Sequence, residues 1–412
     1  MDRYVIVGGS LAGAKAAETL RGEGFDGEIV LIGEEGVRPY ERPPLSKGYL
    51  LGAEELEKAY VHPEGWYAEH QVDLRLGVRA TMLDAASHTL TLDGDTPLSY
   101  QKLLLATGSR VRVLDLPGAD LHGVRYLRTA DESTQLREEF TAGRKVVVIG
   151  AGWIGMETAA AARQHGADVT VVELDSLPLR RVLGDELGAL FADLHREHGV
   201  RFRLSAGVSE ITGSDGQVTG VRLADGELLP ADVAVVGIGV RPAVELAEAA
   251  GLDVDNGVVT DEGLRTSDPD IFACGDVANS YHPIIGKRVR VEHWANALNG
   301  GKAAAKSMLG QDVVYDRVPY FFSDQYDLGM EYSGHVEPGG YDQVVFRGDP
   351  GDGGGEFIAF WLADDRVLAG MNVNVWDVTE PIQKLVRAGH AGAAIDPRRL
   401  ADVNAPLEGL LG

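Results

Sequence analysis

Two six-residue runs have the composition and spacing to hold a nucleotide. Gly8-Gly9-Ser10-Leu11-Ala12-Gly13 and Gly150-Ala151-Gly152-Trp153-Ile154-Gly155 each follow an apolar strand-like run, Tyr4–Val7 and Arg144–Ile149, and each leads into an Ala-rich stretch. In such a turn the first Gly permits a tight reversal and the last lets the helix pack close to the strand. The helix-terminal N–H groups and the helix dipole then face a pyrophosphate. The second run is a complete G-x-G-x-x-G; the first has Ser10 in the middle Gly position, a residue small enough to keep backbone approach open. An acid follows each: Glu34 lies 21 residues past Gly13 and Glu173 lies 18 past Gly155. A carboxylate there accepts from ribose hydroxyls, and at Glu173 it favours the free 2′-hydroxyl of NAD over the 2′-phosphate of NADP. Arg180 and Arg181 leave three readings open: contact with a 2′-phosphate, a clamp on the NAD pyrophosphate, or solvated charge. If one nucleotide is FAD and the other NADH, the natural chemistry is hydride transfer to the flavin.

The elements around these turns alternate apolar β-branched runs with helical stretches, which predicts an α/β fold. Helices are expected over Ala14–Arg21 and Met156–Gln164, and strands over Glu28–Ile32 and Asp168–Val172. Three further strand-to-turn units read as Lys102–Leu105 into Ala106-Thr107-Gly108, Asp232–Val236 into Gly237-Ile238-Gly239, and Ile271–Ala273 into Cys274-Gly275-Asp276. Trp294–Leu309 reads as a helix. From about Val318 aromatics and alternation take over, with a polar loop at Gly348–Gly355 and a late helix near Glu380–Ala388. This predicts a small antiparallel third domain. The fold class is thus two Rossmann-like dinucleotide-binding domains plus a small α+β C-terminal domain.

Composition narrows the function. The 412 residues are too many for one core. Lys and Arg total 38 against 63 Asp and Glu, a net charge of −25, which disfavours nucleic-acid and anionic-membrane binding. The single cysteine, Cys274, excludes an intrachain disulfide and is read as a small buried packing residue. The first strand starts almost at once, no apolar run approaches a membrane span, and Ala405–Gly412 has no amphipathic membrane helix. A cytoplasmic protein without a metal site is expected.

Taken in order, Gly8–Gly13, Arg42-Pro43-Pro44-Leu45-Ser46-Lys47, Ala106-Thr107-Gly108, Gly150–Glu157, Gly237-Ile238-Gly239, Cys274-Gly275-Asp276, Glu292–Asn296 and Ser323-Asp324-Gln325-Tyr326 resemble one family. It is the oxygenase-coupled NADH–ferredoxin reductases, typified by putidaredoxin reductase and biphenyl dioxygenase reductase. The resemblance implies an FAD domain in two pieces (1–114 and 241–318), an NADH domain inserted between them (115–240) and a C-terminal domain (319–412). It also implies the flavin's neighbours: Gly8, Ser10, Leu11, Ala12, Gly13, Glu34, Arg42, Pro43, Lys47, Ala80, Thr107, Gly108, Arg110 and Arg128. Asp276 is expected on the ribityl chain and Trp294 near the pyrimidine edge. The nicotinamide nucleotide falls to Gly150, Gly152, Ile154, Gly155, Glu157, Glu173, Arg181 and Gly239.

Several of these residues also have plainer readings: Asp276 as a helix N-cap, Lys47 as a solvated lysine, Arg42 and Arg128 as structural ion pairs. Glu157, two positions past Gly155, is either favourable dipole chemistry or, as the resemblance implies, the acid that faces the nicotinamide. In the latter case it forms a buried pair with Lys47, and these two are the expected catalytic residues.

The resemblance implies hydride transfer from NADH to flavin N5, then single-electron transfers to a small iron–sulfur protein, a ferredoxin or a rubredoxin. The final acceptor is a cytochrome P450 or another oxygenase. Lys287, Arg288 and Arg290, with Lys302, form the expected basic docking patch, unless that segment is only a solvated charged loop. Phe322 stands where relatives often carry Trp. A monomer or weak homodimer is expected. No role is read for Gly370–Asp377 beyond packing by Trp376. The alternatives are a stand-alone NADH oxidase, against which the lack of cysteine in Leu45–Leu51 counts, and an NADH-sensing flavoprotein.

Overall fold

The computed structural model describes residues 2–94, 96–351 and 355–411. The central part of the predicted loop Gly348–Gly355 therefore lies outside the described residues. Internal packing divides the chain into two compact units. One comprises 1–41, 57–110 and 241–319; the other comprises 42–56, 111–240 and 320–412.

In the first unit a five-stranded parallel sheet runs Ile271–Ala273, Lys102–Leu105, Arg3–Val7, Glu28–Gly33, Val72–Leu76. The central strands carry consecutive buried apolar residues, Val5–Val7, Ile29–Ile32 and Leu103–Leu105, because both faces of the sheet are covered. Tyr4, Ile6, Ile29, Leu31, Leu104 and Phe272 face one core with the helices Leu11–Gly22 and Trp294–Met308. Val5, Val7, Val30, Ile32, Leu103 and Leu105 face the other. The two helices approach closely at Gly301, where a Cβ would stand 2.2 Å from the Ala12 carbonyl oxygen. A three-stranded antiparallel meander, Ala80–Asp84, Thr89–Leu92 and Thr96–Ser99, joins this unit.

The second unit repeats the scheme. Its parallel sheet runs Arg201–Arg203, Asp168–Val172, Lys145–Ile149, Val233–Val236, Val124–Arg125, with the helix Trp153–Gln164 following the central strand. It too carries a meander, Val208–Ser214, Gln217–Leu223 and Leu228–Pro230. A separate five-stranded antiparallel sheet runs Tyr320–Gln325, Leu328–Gly334, Arg366–Val373, Phe357–Ala363, Gln343–Gly348. The helix Thr379–His390 packs so tightly on it that a Cβ on Gly389 would lie 2.0 Å from the Val367 carbonyl oxygen.

Two details differ from the sequence reading. Both Gly-run helices begin three residues early, at Leu11 and Trp153, so the last Gly of each run lies inside its helix. Glycine is required at both places by close contact: a Cβ on Gly13 would stand 2.1 Å from the Gly8 carbonyl oxygen, and one on Gly155 equally close to that of Gly150. The Gly370–Asp377 segment acquires a structural account. Asn374 Oδ1 accepts from Gly329 N–H, Asn372 donates to Glu331 and to the Val375 carbonyl, and Trp376 lies over Gly329, where a Cβ would clash at 2.6 Å. Among the described residues no helix is long and apolar enough to cross a membrane.

Candidate functional site

The two Gly runs form matching cradles, each within its own unit. Gly8 N–H donates to the Ile32 carbonyl at 2.9 Å and Gly150 N–H to the Val172 carbonyl at 2.8 Å, so each turn is pinned to the strand that ends in the acid. Both lead glycines are left-handed, at φ +130° and +103°, and a Cβ on either would strike a carbonyl oxygen, of Ala106 at 2.0 Å or Gly237 at 2.4 Å. Neither helix has a side-chain cap at its N-cap residue, Ser10 or Gly152. The first-turn amides thus have no side-chain cap, and a phosphate would satisfy them. At Gly152 a Cβ would meet open space, and Ile154 beside it is 46% exposed. These cradles fit the pyrophosphates of two dinucleotides.

The acids are held differently. Glu173 accepts from the Ala151 N–H at 2.6 Å and the Asp175 N–H at 2.9 Å, and Arg181 is turned onto Asp175 at 2.7 Å. Arg180 pairs with Asp185. Glu34 lies 3.5 Å from Arg110 and 3.8 Å from Arg79, a neighbour the sequence reading did not name.

The remaining candidates of the first unit lie in local contacts. Thr107 Oγ1 donates to the Ala243 carbonyl at 2.8 Å, and Gly108 N–Cα has φ +68°. Ala80 is buried in the meander's core. Asp276 sits in the short turn Gly275–Val277, and its carbonyl accepts from Arg290. Trp294 opens its helix and its indole donates to Glu41 at 3.0 Å. Leu11 and Ala12 are buried in the first helical turn.

Lys287–Arg290 is not a loop. It is a strand paired antiparallel with Ala278–His282. Arg288 donates to the Thr260 and Asn279 carbonyls, and Arg290 pairs with Glu292, so this patch holds less net positive charge than its sequence suggests. Lys302 lies half-buried on the Trp294–Met308 helix. Cys274 is fully buried, and burial pushes its thiol up to about 12, which removes the thiolate needed for redox exchange.

In the second unit Arg42 donates to the Arg128 carbonyl, and Pro43 opens the short helical turn Pro43–Ser46. This turn delivers the most chemically loaded cluster. Lys47 Nζ lies 2.7 Å from Glu157 Oε1, both side chains largely buried. Ser46 donates to Glu157 Oε2, and Ser323 donates to Oε1 at 2.7 Å. Phe322 presents its ring 5.4 Å from Lys47 Nζ. Neighbouring Asp324 is raised above the ordinary carboxyl range, first by burial, against the pull of Lys47 and with a push from Glu157 and Glu331. Behind Ser323 stand Gln325 and His195: the Gln325 amide donates to Ser323 Oγ at 3.1 Å, and its Oε1 is 2.7 Å from His195 Nε2. Ser46, Ser323, Gln325 and His195 were given no role in the sequence reading. Gly239, at φ +93°, closes the turn after Val233–Val236 beside Arg112. Among the described residues no cluster of His, Cys, Asp and Glu is placed to hold a metal ion.

Paired nucleotide cradles of this kind define a two-nucleotide oxidoreductase. Residues 2–301 match the pyridine nucleotide-disulphide oxidoreductase family and residues 320–411 match the reductase C-terminal family. The chain is 41% identical, over 100% of its length and 99% of the relative's, to the anthranilate 1,2-dioxygenase system ferredoxin–NAD(+) reductase component of Burkholderia cepacia. It is 38% identical to putidaredoxin reductase of Pseudomonas putida, over 90% of this chain and 89% of that one. Among solved structures, it matches the putidaredoxin reductase–putidaredoxin covalent complex at TM-score 0.93 with 36% identity, covering 99% and 98%. It also matches the ferredoxin reductase for the CYP199A2 system of Rhodopseudomonas palustris at TM-score 0.94 with 37% identity, covering 100% of both. The chain belongs to the pyridine nucleotide-disulphide oxidoreductases, among the FAD- and NAD(H)-using ferredoxin reductases of oxygenase systems.

Proposed function

We propose that this chain oxidises NADH and delivers the electrons one at a time to a [2Fe–2S] ferredoxin that feeds a P450 or another oxygenase. The observation that carries the reading is the pairing of two nucleotide cradles with one buried, unreactive cysteine. Electrons that enter from one nucleotide have no thiol to pass through and must leave to an outside carrier. FAD, when bound, accepts the two electrons as a hydride and releases them singly.

The chain's own residues bind and orient. Gly8–Gly13, with Glu34 at the ribose, would hold the FAD pyrophosphate. Asp276, Thr107, Arg110, Ala80, Trp294, Arg42, Pro43 and Arg128 are assigned to the rest of that cofactor. Gly150–Gly155 and Glu173 would hold NADH, with Gly239 and Arg181 alongside. Two backbone amides anchor the Glu173 side chain, and an acidic side chain at this place supports NADH over NADPH by disfavouring a 2′-phosphate. Glu157, the fifth residue of the second cradle's helix, would face the nicotinamide while Lys47 balances its charge. We assign the FAD domain to 1–114 and 241–318, the NADH domain to 115–240 and the C-terminal domain to 319–412. Lys287 and Lys302, with the already engaged Arg288 and Arg290, are the proposed contact for an acidic partner. The chain acts as a monomer or weak homodimer in the cytoplasm.

The test is cytochrome c reduction by the purified yellow protein with NADH, with and without added [2Fe–2S] ferredoxin. A large ferredoxin-dependent rate that weakens with salt supports the proposal. Rapid turnover with oxygen that is indifferent to ferredoxin would replace it with the oxidase reading.

A further inference from the structure

The hydrogen bonds around Glu157 have a fixed direction, set by one charge. Glu157, as a carboxylate, only accepts. The single proton of Ser323 is therefore committed to Glu157 Oε1 at 2.7 Å, and Ser323 Oγ must accept from the Gln325 amide at 3.1 Å. That orientation turns Gln325 Oε1 toward His195 Nε2 at 2.7 Å, so Nε2 must carry the imidazole proton. His195 Nδ1 is then bare, and the Tyr326 hydroxyl lies 3.3 Å away to donate to it. Ser323 and Gln325 are 1% exposed and His195 is fully buried, so water does not substitute for any of these partners.

We propose that Ser323, Gln325 and His195, ending at Tyr326, are positioning residues that fix the Glu157 carboxylate in one orientation for the nicotinamide of NADH. This deepens the proposed function and rests on it. Four donors, from Tyr326 to Ser323, point one way and end on one anion. In a dry interior such a chain polarises cooperatively and strengthens its last bond. The chain is not a proton path. Gln325 stands in its middle, and an amide passes no proton without becoming its unstable imidic form. Its function is therefore orientation. Two other features fit that role. His195 comes from the helix Arg180–Glu197, within the dinucleotide half of the unit, and Ser323 and Gln325 share one strand of the antiparallel sheet. The chain thus ties the nicotinamide-facing carboxylate to both. Burial also holds His195 down to about 4, which leaves the ring with a single proton. The charged and titratable groups facing Glu157 are Lys47 and Asp324, and those facing His195 are His198 and Tyr326.

The experiment uses the FAD-loaded protein. The first readout is the tautomer of His195 by 15N histidine resonance at pH 7, with His195→Gln to assign the signal. Nε2–H with bare Nδ1 is expected; the Nδ1–H tautomer or a charged ring overturns the proposal. The second readout is Ser323→Ala. Loss of one donor to a buried anion should slow the limiting rate of flavin reduction by NADH roughly 10-fold, while affinity for ADP-ribose, which lacks the nicotinamide, stays within about 2-fold by calorimetry. An unchanged limiting rate, or an equal loss in ADP-ribose affinity, overturns it. If the unmodified protein is not reduced by NADH at all, the proposed function fails instead, and the tautomer still decides the direction of the chain.

Discussion

His195 makes folding stability depend on pH in a calculable way. It is fully buried with a pKa held down to about 4, against an ordinary value of 6.5. Between these values the unfolded chain binds one proton more than the folded one, so stability rises with pH there and is lost as pH falls from 6.5 toward 4. From pH 7 to pH 5 the loss from this one group works out to about 2 kcal/mol. The assay is urea unfolding at fixed FAD, followed by fluorescence and circular dichroism, on the protein and on His195→Gln. The glutamine amide nitrogen takes the place of Nε2 and keeps the bond to Gln325, but it does not titrate. The difference in stability between the two proteins should therefore shift by about 2 kcal/mol over this range, against the histidine form at low pH. Parallel pH profiles for the two proteins would refute the claim that His195 is buried and neutral.

Three further outcomes are expected. Glu157→Ala leaves Lys47 largely buried without its carboxylate, which costs about 3–5 kcal/mol where such pairs are broken; the limiting rate of flavin reduction by NADH should fall at least 10-fold in stopped-flow. Gly8→Ala places a Cβ 2.0 Å from a carbonyl oxygen at φ +130°, and the purified protein should be colourless, its FAD content measured by absorbance after denaturation. Cys274→Ala should change ferredoxin-dependent turnover by less than about 2-fold, since a buried neutral thiol acts only as packing, and the folded protein should resist iodoacetamide when alkylation is followed by mass spectrometry.

The cradles were legible because their constraints are local. A tight turn, a helix start and an acid one strand away occupy about thirty residues of sequence, and the structure pins each turn to its acid-bearing strand as that spacing requires. The parallel sheets were legible because strands covered on both faces leave uninterrupted apolar runs. The early helix starts were not, because Gly13 and Gly155 disfavour helix by propensity while close packing on a carbonyl oxygen demands them there. The meanders were missed because their strands give weak signals: Thr89–Leu92 is four residues and half polar, and Leu228–Pro230 is three residues ending in proline. Pairing of Lys47 with Glu157 came from family resemblance; no spacing rule joins residues 110 positions apart. Ser46, Ser323 and His195 carry no signal of their own, since serine and histidine have many uses and only the folded neighbourhood shows which one applies. Gly370–Asp377 became readable once Gly329 was seen to leave room for Trp376.

The cluster at Glu157 also bears on how the protein is made. Its lysine and one serine come from residues 46–47, its acid from 157 and its other serine from 323, all in one compact unit. A ribosome delivers these in that order, and domains consolidate as they emerge. The helix bearing Glu157 is complete long before Ser323 leaves the exit tunnel, so the carboxylate has Lys47 and Ser46 within the nascent chain but lacks its second serine until the antiparallel sheet is synthesised. A nascent chain therefore holds a nucleotide cradle well before it holds an oriented acid.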